Sequence, residues 1–189
     1  MQTKTSSYQA VVLLACALLS MDQRIAAQPQ ADAGAAAQLE FAEGIRRYAT
    51  LRARLEEPLP AFEPRRDSWS LFLTRRYLAS AVRTARARAV IGDVFTPGVA
   101  ALFRATIERE VYAIGIEGLV DEELDDDAFL VDLIVNEPVP QWALQPLPAA
   151  LVERLPALPD AIHYARVGTS LILWDGHAEI LIDALPEAF

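Results

Sequence analysis

The chain has 189 residues, 53% of them hydrophobic, with 17 Lys and Arg against 26 Asp and Glu and a single cysteine. That length supports one domain with a substantial core and leaves too little chain for two. The net charge of −9 argues against a nucleic-acid partner, and one cysteine excludes a disulfide framework.

At the N-terminus, Lys4 precedes an apolar run from Ala10 to Leu19, and the small-residue site Ile25-Ala26-Ala27 stands just before Gln28. This is the layout of a secretory signal peptide over residues 1–27. The run holds about ten apolar residues, well under the roughly 20 that span a bilayer, so no transmembrane segment is expected after cleavage. Cys16, in Leu13-Leu14-Ala15-Cys16, also resembles the lipoprotein cleavage box, which makes a lipid anchor at Cys16 the alternative. Both routes export the chain to the periplasm or beyond and leave the body without thiol chemistry.

Gln28 to Ala37 (QPQADAGAAA) has nothing to bury and reads as a disordered tether. From residue 38 to 189 a single α+β domain is expected. Phe41, Ile45, Tyr48, Leu51 and Leu55 recur at helical spacing over residues 38–57, ended by Pro58, Pro60 and Pro64. Asp67 is a suitable N-cap for a second helix, Ser68 to about Val90, with Leu71, Leu78, Val82, Ala85 and Ala89 as its stripe. In the segment GDVFTP (Gly92 to Pro97), Thr96 suits a cap and Pro97 the first position of a third helix, which buries Val99, Leu102, Phe103, Ile107, Val111 and Ile114 and stops at Gly115 or Gly118. Asp121 to Val135 reads as a helix with an acidic start, against the competing reading of Phe129 to Val135 as a buried strand. Asn136 to Pro148, with four prolines, cannot be regular, and a short helix follows over Ala149 to Leu155.

Ile162 to Val167, Ser170 to Trp174 and Ala178 to Leu185 read as a three-stranded antiparallel meander, with turns at Gly168-Thr169 and Asp175-Gly176. Two-residue turns place His163 and His177 across from Trp174, and Leu171 across from Ile180. Alternation then gives a core face of Leu171, Leu173, Ala178, Ile180 and Ile182 and a mixed outer face of Ile172, Trp174, His177, Glu179 and Asp183. The helices should pack on the core face.

Charge divides along the chain. Residues 39–91 carry 11 Arg and 6 acids, a net of +5, and residues 92–189 carry 4 Arg and 18 acids, a net of −14. An Arg-rich face for an anionic partner such as phospholipid, cell-wall polymer or nucleic acid is weighed against basic helices packing beside acidic elements of one domain. The second is preferred, because acids stand among the arginines and no aromatic-interleaved basic cluster is evident.

His163 and His177 are the only histidines, so any acid–base or metal hypothesis needs them. On the outer face they flank Trp174 at two strand spacings, about 10 Å, too far apart to share one zinc ion. One of them with Glu179 or Asp183 makes a candidate acid–base pair; water or backbone partners are the plainer reading. The acids Asp121 to Asp127 lack the alternation and central glycine of a calcium loop and suit a helix start instead. No GxSxG, SxxK, HExxH, P-loop or GxGxxG motif occurs, and no cofactor or metal is expected. Trp142, in the proline-rich stretch, and Trp174 are candidate partner-binding aromatics, although a tryptophan in such a loop more often pins it to the core.

GDVFTPGVAALFR (Gly92 to Arg104), LPAALVERLPALP (Leu147 to Pro159) and YARVGTSLILWDGHAEILIDAL (Tyr164 to Leu185) together resemble a family of secreted bacterial proteins of unknown function. That family shows a GD-[IV]-FTP helix start, a proline-bracketed short helix and a terminal Y-x-x-V-G-x-x-L-x-L-x-D hairpin followed by [IV]-D. The resemblance covers roughly residues 40–185 and implies export and a shared fold, with no activity and no site to carry over. The sequence therefore supports an exported, acidic, non-catalytic binding or envelope-associated module. A small hydrolase or metal-handling protein using the outer face of the sheet is the alternative.

Overall fold

The computed structural model describes residues 32–62, 67–114 and 131–189. In chain order these form α1 (residues 32–56), α2 (Ser68–Ala85), α3 (Pro97–Ile114), a 3-10 turn at Gln141–Ala143 and a short α4 (Ala149–Val152). Strands β1 (Ile162–Val167), β2 (Ser170–Asp175) and β3 (Ile180–Leu185) follow as an antiparallel meander in the order β1-β2-β3. The expected α+β arrangement is thus present, and α1 touches both α2 and α3.

α1 is already helical at residue 32, inside the stretch read as a tether, and Ala37 is buried. Alanine has the highest helix propensity, so a run of alanines next to an amphipathic helix extends it. Phe41, Ile45 and Tyr48 form its buried stripe, and the helix stops two residues before Pro58. Asp67 caps α2 as expected, accepting from the Ser70 N–H at 2.8 Å. The helix ends at Ala85, short of Val90. There the Arg86 backbone leaves helical geometry (φ −111°, ψ 32°) and its guanidinium turns inward, donating to Asn136 Oδ1 at 2.9 Å and Ile182 O at 3.1 Å. Pro97 is the first residue of α3, but the Thr96 hydroxyl does not cap it. Its carbonyl accepts from the Ala100 N–H at 2.7 Å, while the hydroxyl is buried with no hydrogen-bond partner among the described residues.

The helix expected over 121–135 is absent where it can be seen. Residues 121–130 lie outside the described residues, and 131–134 have no regular structure. Directly after the 121–135 stretch, Asn136 donates to Leu181 O at 2.8 Å and Leu181 donates to Glu137 O at 2.9 Å, so residues 136 and 137 lie along the free edge of β3. Asn136 takes up a left-handed conformation (φ 67°) that asparagine tolerates better than most. The other edge is covered in the same way, since Gln145 exchanges two backbone hydrogen bonds with Arg166 of β1, at 2.9 and 2.8 Å. Covered edges remove the template for further strand pairing.

The β1–β2 register is the expected one, with His163 opposite Trp174 and a two-residue turn in which Gly168 supplies positive φ (55°). The β2–β3 register is not. Four residues, 176–179, separate β2 from β3, and positive φ falls on Glu179 (55°), not on Gly176. Leu171 pairs with Leu185, Leu173 with Asp183 and Trp174 with Leu181, with Ile182 as the extra residue of a β-bulge. A bulge interrupts the two-residue alternation. Asp183 therefore lies on the same face as its partner Leu173, the helix face, whereas unbroken alternation would have put it outside.

Both faces of the sheet are consequently buried. Leu171, Leu173, Ile180 and Ile182 join Phe41, Phe103, Leu78 and Ile107 in the main core, where the Phe41 and Phe103 ring centroids stand 4.8 Å apart. On the other face, Ala165, Val167, Ile172, Leu181 and Ala184 pack against Val139 and Ala143, with Val131, Leu133, Leu144 and Trp174 at the margin. The face expected to be mixed is a second, smaller core roofed by residues 131–147.

Candidate functional site

The densest polar cluster sits where α1 meets the β2–β3 turn. Tyr48, Arg52 and Glu56 recur every four residues on α1, which aligns them on one helix face. The Tyr48 hydroxyl donates to Asp175 Oδ2 at 2.6 Å, and Arg52 Nε stands 3.9 Å from the same oxygen. Asp175 is fully buried. Its Oδ1 accepts from the His177 and Ala178 N–H groups, both at 2.9 Å. An aspartate that bonds the backbone two and three residues on folds the chain into a turn by itself, and this is why the loop has four residues.

His177 enters the cluster from the turn. Its Nδ1 stands 2.9 Å from Glu56 Oε1, to which a protonated nitrogen donates, and 3.0 Å from Arg52 Nη1, which donates to an unprotonated one. The ring therefore has a partner in either tautomer. Arg52 also pairs with Glu56 Oε2 at 2.8 Å, and Phe62 stacks on the imidazole with centroids 4.3 Å apart. Burial, followed by the Asp175 charge and hydrogen bond, raises the Tyr48 hydroxyl pKa far above that of a free tyrosine. Burial lowers the pKa of Arg86, whose guanidinium lies 5.0 Å above the Tyr48 ring.

The second buried carboxylate, Asp183, is held by backbone alone. Gly92 N–H donates to Oδ1 at 2.8 Å, and the Val94 and Phe95 N–H groups donate to Oδ2 at 2.7 and 2.8 Å. Its own chain adds the Ala184 N–H at 2.8 Å. Gly92, at φ 94°, allows the loop to wrap with its N–H groups pointing inward. The GDVFTP segment is thus the cradle of Asp183, and two separate stretches of the sequence form one structural unit.

The structure distributes the sequence-predicted residues as follows. His177, Glu179 and Asp183 leave the outer face and meet α1, α2 and the 92–95 loop respectively, with Glu179 paired to Arg75. His163 stays outside, exposed, its ring 6.0 Å from Trp174 and lying over Gly176. A Cβ at Gly176 would come within 3.0 Å of His163 Nε2, so this glycine provides room where the sequence suggested positive φ. The row of His163, Trp174 and His177 is broken. Trp174 packs at the edge of the second core, with its buried Nε1 lacking a partner among the described residues. Trp142 points outward, 62% exposed, and the loop is pinned instead by Val139 and Ala143.

Sequence reasoning missed Tyr48, Arg52 and Glu56 as a unit; their spacing of four was visible, but nothing in it marked the turn they would meet. Among the described residues no Ser, Thr or Cys side chain hydrogen-bonds His177, and no group of three His, Cys, Asp or Glu side chains is placed to hold a metal ion. A cavity of about 470 Å³ opens between α1 and Pro156 to Pro159, lined mainly by Phe41, Ala42, Ile45 and Ala49, and neither histidine lines it. No described helix is long and apolar enough to cross a membrane. No family model matches the chain, and neither the curated proteins nor the solved structures contain a significant match.

Proposed function

We propose that this protein is an exported, non-catalytic binding module of the cell envelope, delivered by the signal sequence over residues 1–27. One observation carries the reading. The acid and base groups at the end of the sheet are engaged in holding helices to strands, whereas four aromatic side chains, Trp69, Tyr77, Tyr112 and Trp142, are each more than 60% exposed, as are the aliphatic Leu39 and Val90. Glu56, Arg52 and Asp175 surround His177 as structural partners, and a general base needs a nucleophile within hydrogen-bond reach. Exposed aromatics on a polar surface are the common currency of recognition.

Two measurements test this. Fractionation of cells expressing the full chain, with mass spectrometry of the N-terminus, is expected to find it outside the cytoplasm and beginning at Gln28, or at an acylated Cys16. An unprocessed chain in the cytoplasm overturns export. A screen of ester, phosphate and glycoside substrates is expected to show no turnover that disappears in His177→Gln; such a loss would overturn the non-catalytic reading.

A further inference from the structure

The second helix and the residues that follow it differ in composition from the rest of the chain. Residues 68–91 contain five arginines and no aspartate or glutamate, in a protein whose net charge is −9. Three of the arginines are engaged: Arg75 with Glu179, Arg83 with Glu137, and Arg86 with Asn136 and Ile182. Arg76 and Arg88 are exposed and have no carboxylate partner among the described residues.

α2 buries Thr74, Leu78 and Val82 against the core. Its opposite face carries Trp69, Phe72, Arg76 and Tyr77, spaced i, i+3, i+7 and i+8, which groups them on one side of a helix. Trp69 is 67% exposed, Phe72 45% and Tyr77 64%. The Trp69 and Phe72 rings stack with centroids 5.5 Å apart, and the Arg76 guanidinium lies 5.6 Å from the Phe72 ring centre. Three aromatic side chains and one guanidinium, that of Arg76, are therefore presented together on this helix face, and Arg88 follows three residues beyond the end of the helix.

We infer that this face of α2 docks on a bilayer surface containing anionic phospholipid, a partner that deepens, and rests on, the envelope reading above. Charge selects the sign of the partner, because Arg76 and Arg88, without a carboxylate partner among the described residues, stand on an acid-free segment and attract anions. Side-chain type selects the surface. Tryptophan and tyrosine settle at the interface between headgroups and acyl chains, and an exposed amphipathic helix lies in that plane. The exposed aliphatic residues Val90 and Ile91 at the far end of the segment suit lipid and offer nothing to a nucleic-acid base.

The test is vesicle flotation of the full chain with phosphatidylcholine alone and with about one-third phosphatidylglycerol added, alongside the variants W69S/F72S/Y77S and R76Q/R88Q, which keep the same N-terminus. The expected result is preferential binding to the anionic vesicles, reduced about tenfold in the aromatic variant. R76Q/R88Q should lose the preference for anionic lipid, and higher salt should weaken wild-type binding. Tryptophan emission should shift to the blue on binding in wild type and stay fixed in Trp69→Phe. Equal flotation of wild type and both variants, no emission shift, or tighter binding of a single-stranded oligonucleotide than of vesicles overturns the inference. A protein found outside the cytoplasm that ignores vesicles defeats this docking surface and spares the envelope reading; a protein retained in the cytoplasm defeats the envelope reading whatever the vesicles show.

Discussion

Two aspartates carry the most weight per side chain. Asp183 is completely buried and takes three N–H groups from residues 92–95 besides that of Ala184. Asp183→Asn keeps the shape but replaces one acceptor oxygen by a donor that must face an N–H group. A hydrogen bond to a charged acceptor is worth about 1.5 to 3 kcal/mol, so urea unfolding is expected to show a loss of about 3 kcal/mol. Tyr48 offers a pH-dependent counterpart. The folded Tyr48 and Tyr164 hydroxyls are held above the ordinary value of 10.0, chiefly by burial. Unfolded tyrosines therefore ionise first. Their stabilising contribution is complete below pH about 10 and falls above it by up to roughly 1.4 kcal/mol per pH unit for each residue. Unfolding free energies measured from about pH 8 to about pH 11 should decline accordingly, and Tyr48→Phe should flatten the decline; an unchanged slope in that variant would assign the effect to other groups.

At the scale of elements, the ends decide more than the interiors. Asp67→Ala removes the α2 cap, and a loss of about 1 kcal/mol is expected in thermal or urea unfolding, since N-cap replacement typically costs that much. The edges of the sheet are a larger matter. Gln145 closes β1 with its backbone N–H and carbonyl. Gln145→Pro deletes that N–H and the hydrogen bond it gives to the edge of β1, which favours pairing with another chain. Concentration-dependent association, read by sedimentation or light scattering, is the expected outcome; a monomer of unchanged stability would show that the 144–146 segment is not needed as an edge cover.

For the molecule as a whole, the consequence of two cores is that neither face of the sheet tolerates truncation. Leu171 faces the helices and Leu181 faces the 131–147 segment, and both are fully buried. Leu171→Ala and Leu181→Ala should each cost about 2 to 5 kcal/mol, the usual range for deleting a buried leucine side chain. A sheet with one open face would tolerate Leu181→Ala at less than 1 kcal/mol, so the pair of urea denaturation curves distinguishes the two architectures. Charge acts at this scale as well, because residues 68–91 hold five arginines and no acid in a protein of net charge −9, and Arg75 and Arg83 pair with Glu179 and Glu137 of the acidic half.

Local patterns determined the three long helices, the Asp67 cap, the Pro97 start and the first hairpin, because helical periodicity, capping chemistry and a Gly-containing turn act within a few residues of chain. The β2–β3 register, the destination of His177, Glu179 and Asp183 and the outward turn of Trp142 were settled only by tertiary structure. Partners distant in sequence take part in each: Tyr48 bonds the Asp175 whose own backbone contacts shape the turn, Glu56 meets His177, Arg75 meets Glu179, the N–H groups of residues 92–95 gather Asp183 at the bulge, and Val139 with Ala143 closes the face that alternation had left open. Periodicity reports which side a residue would face if its strand were regular. A buried carboxylate needs donors wherever they are, and its demand for them overrode the period.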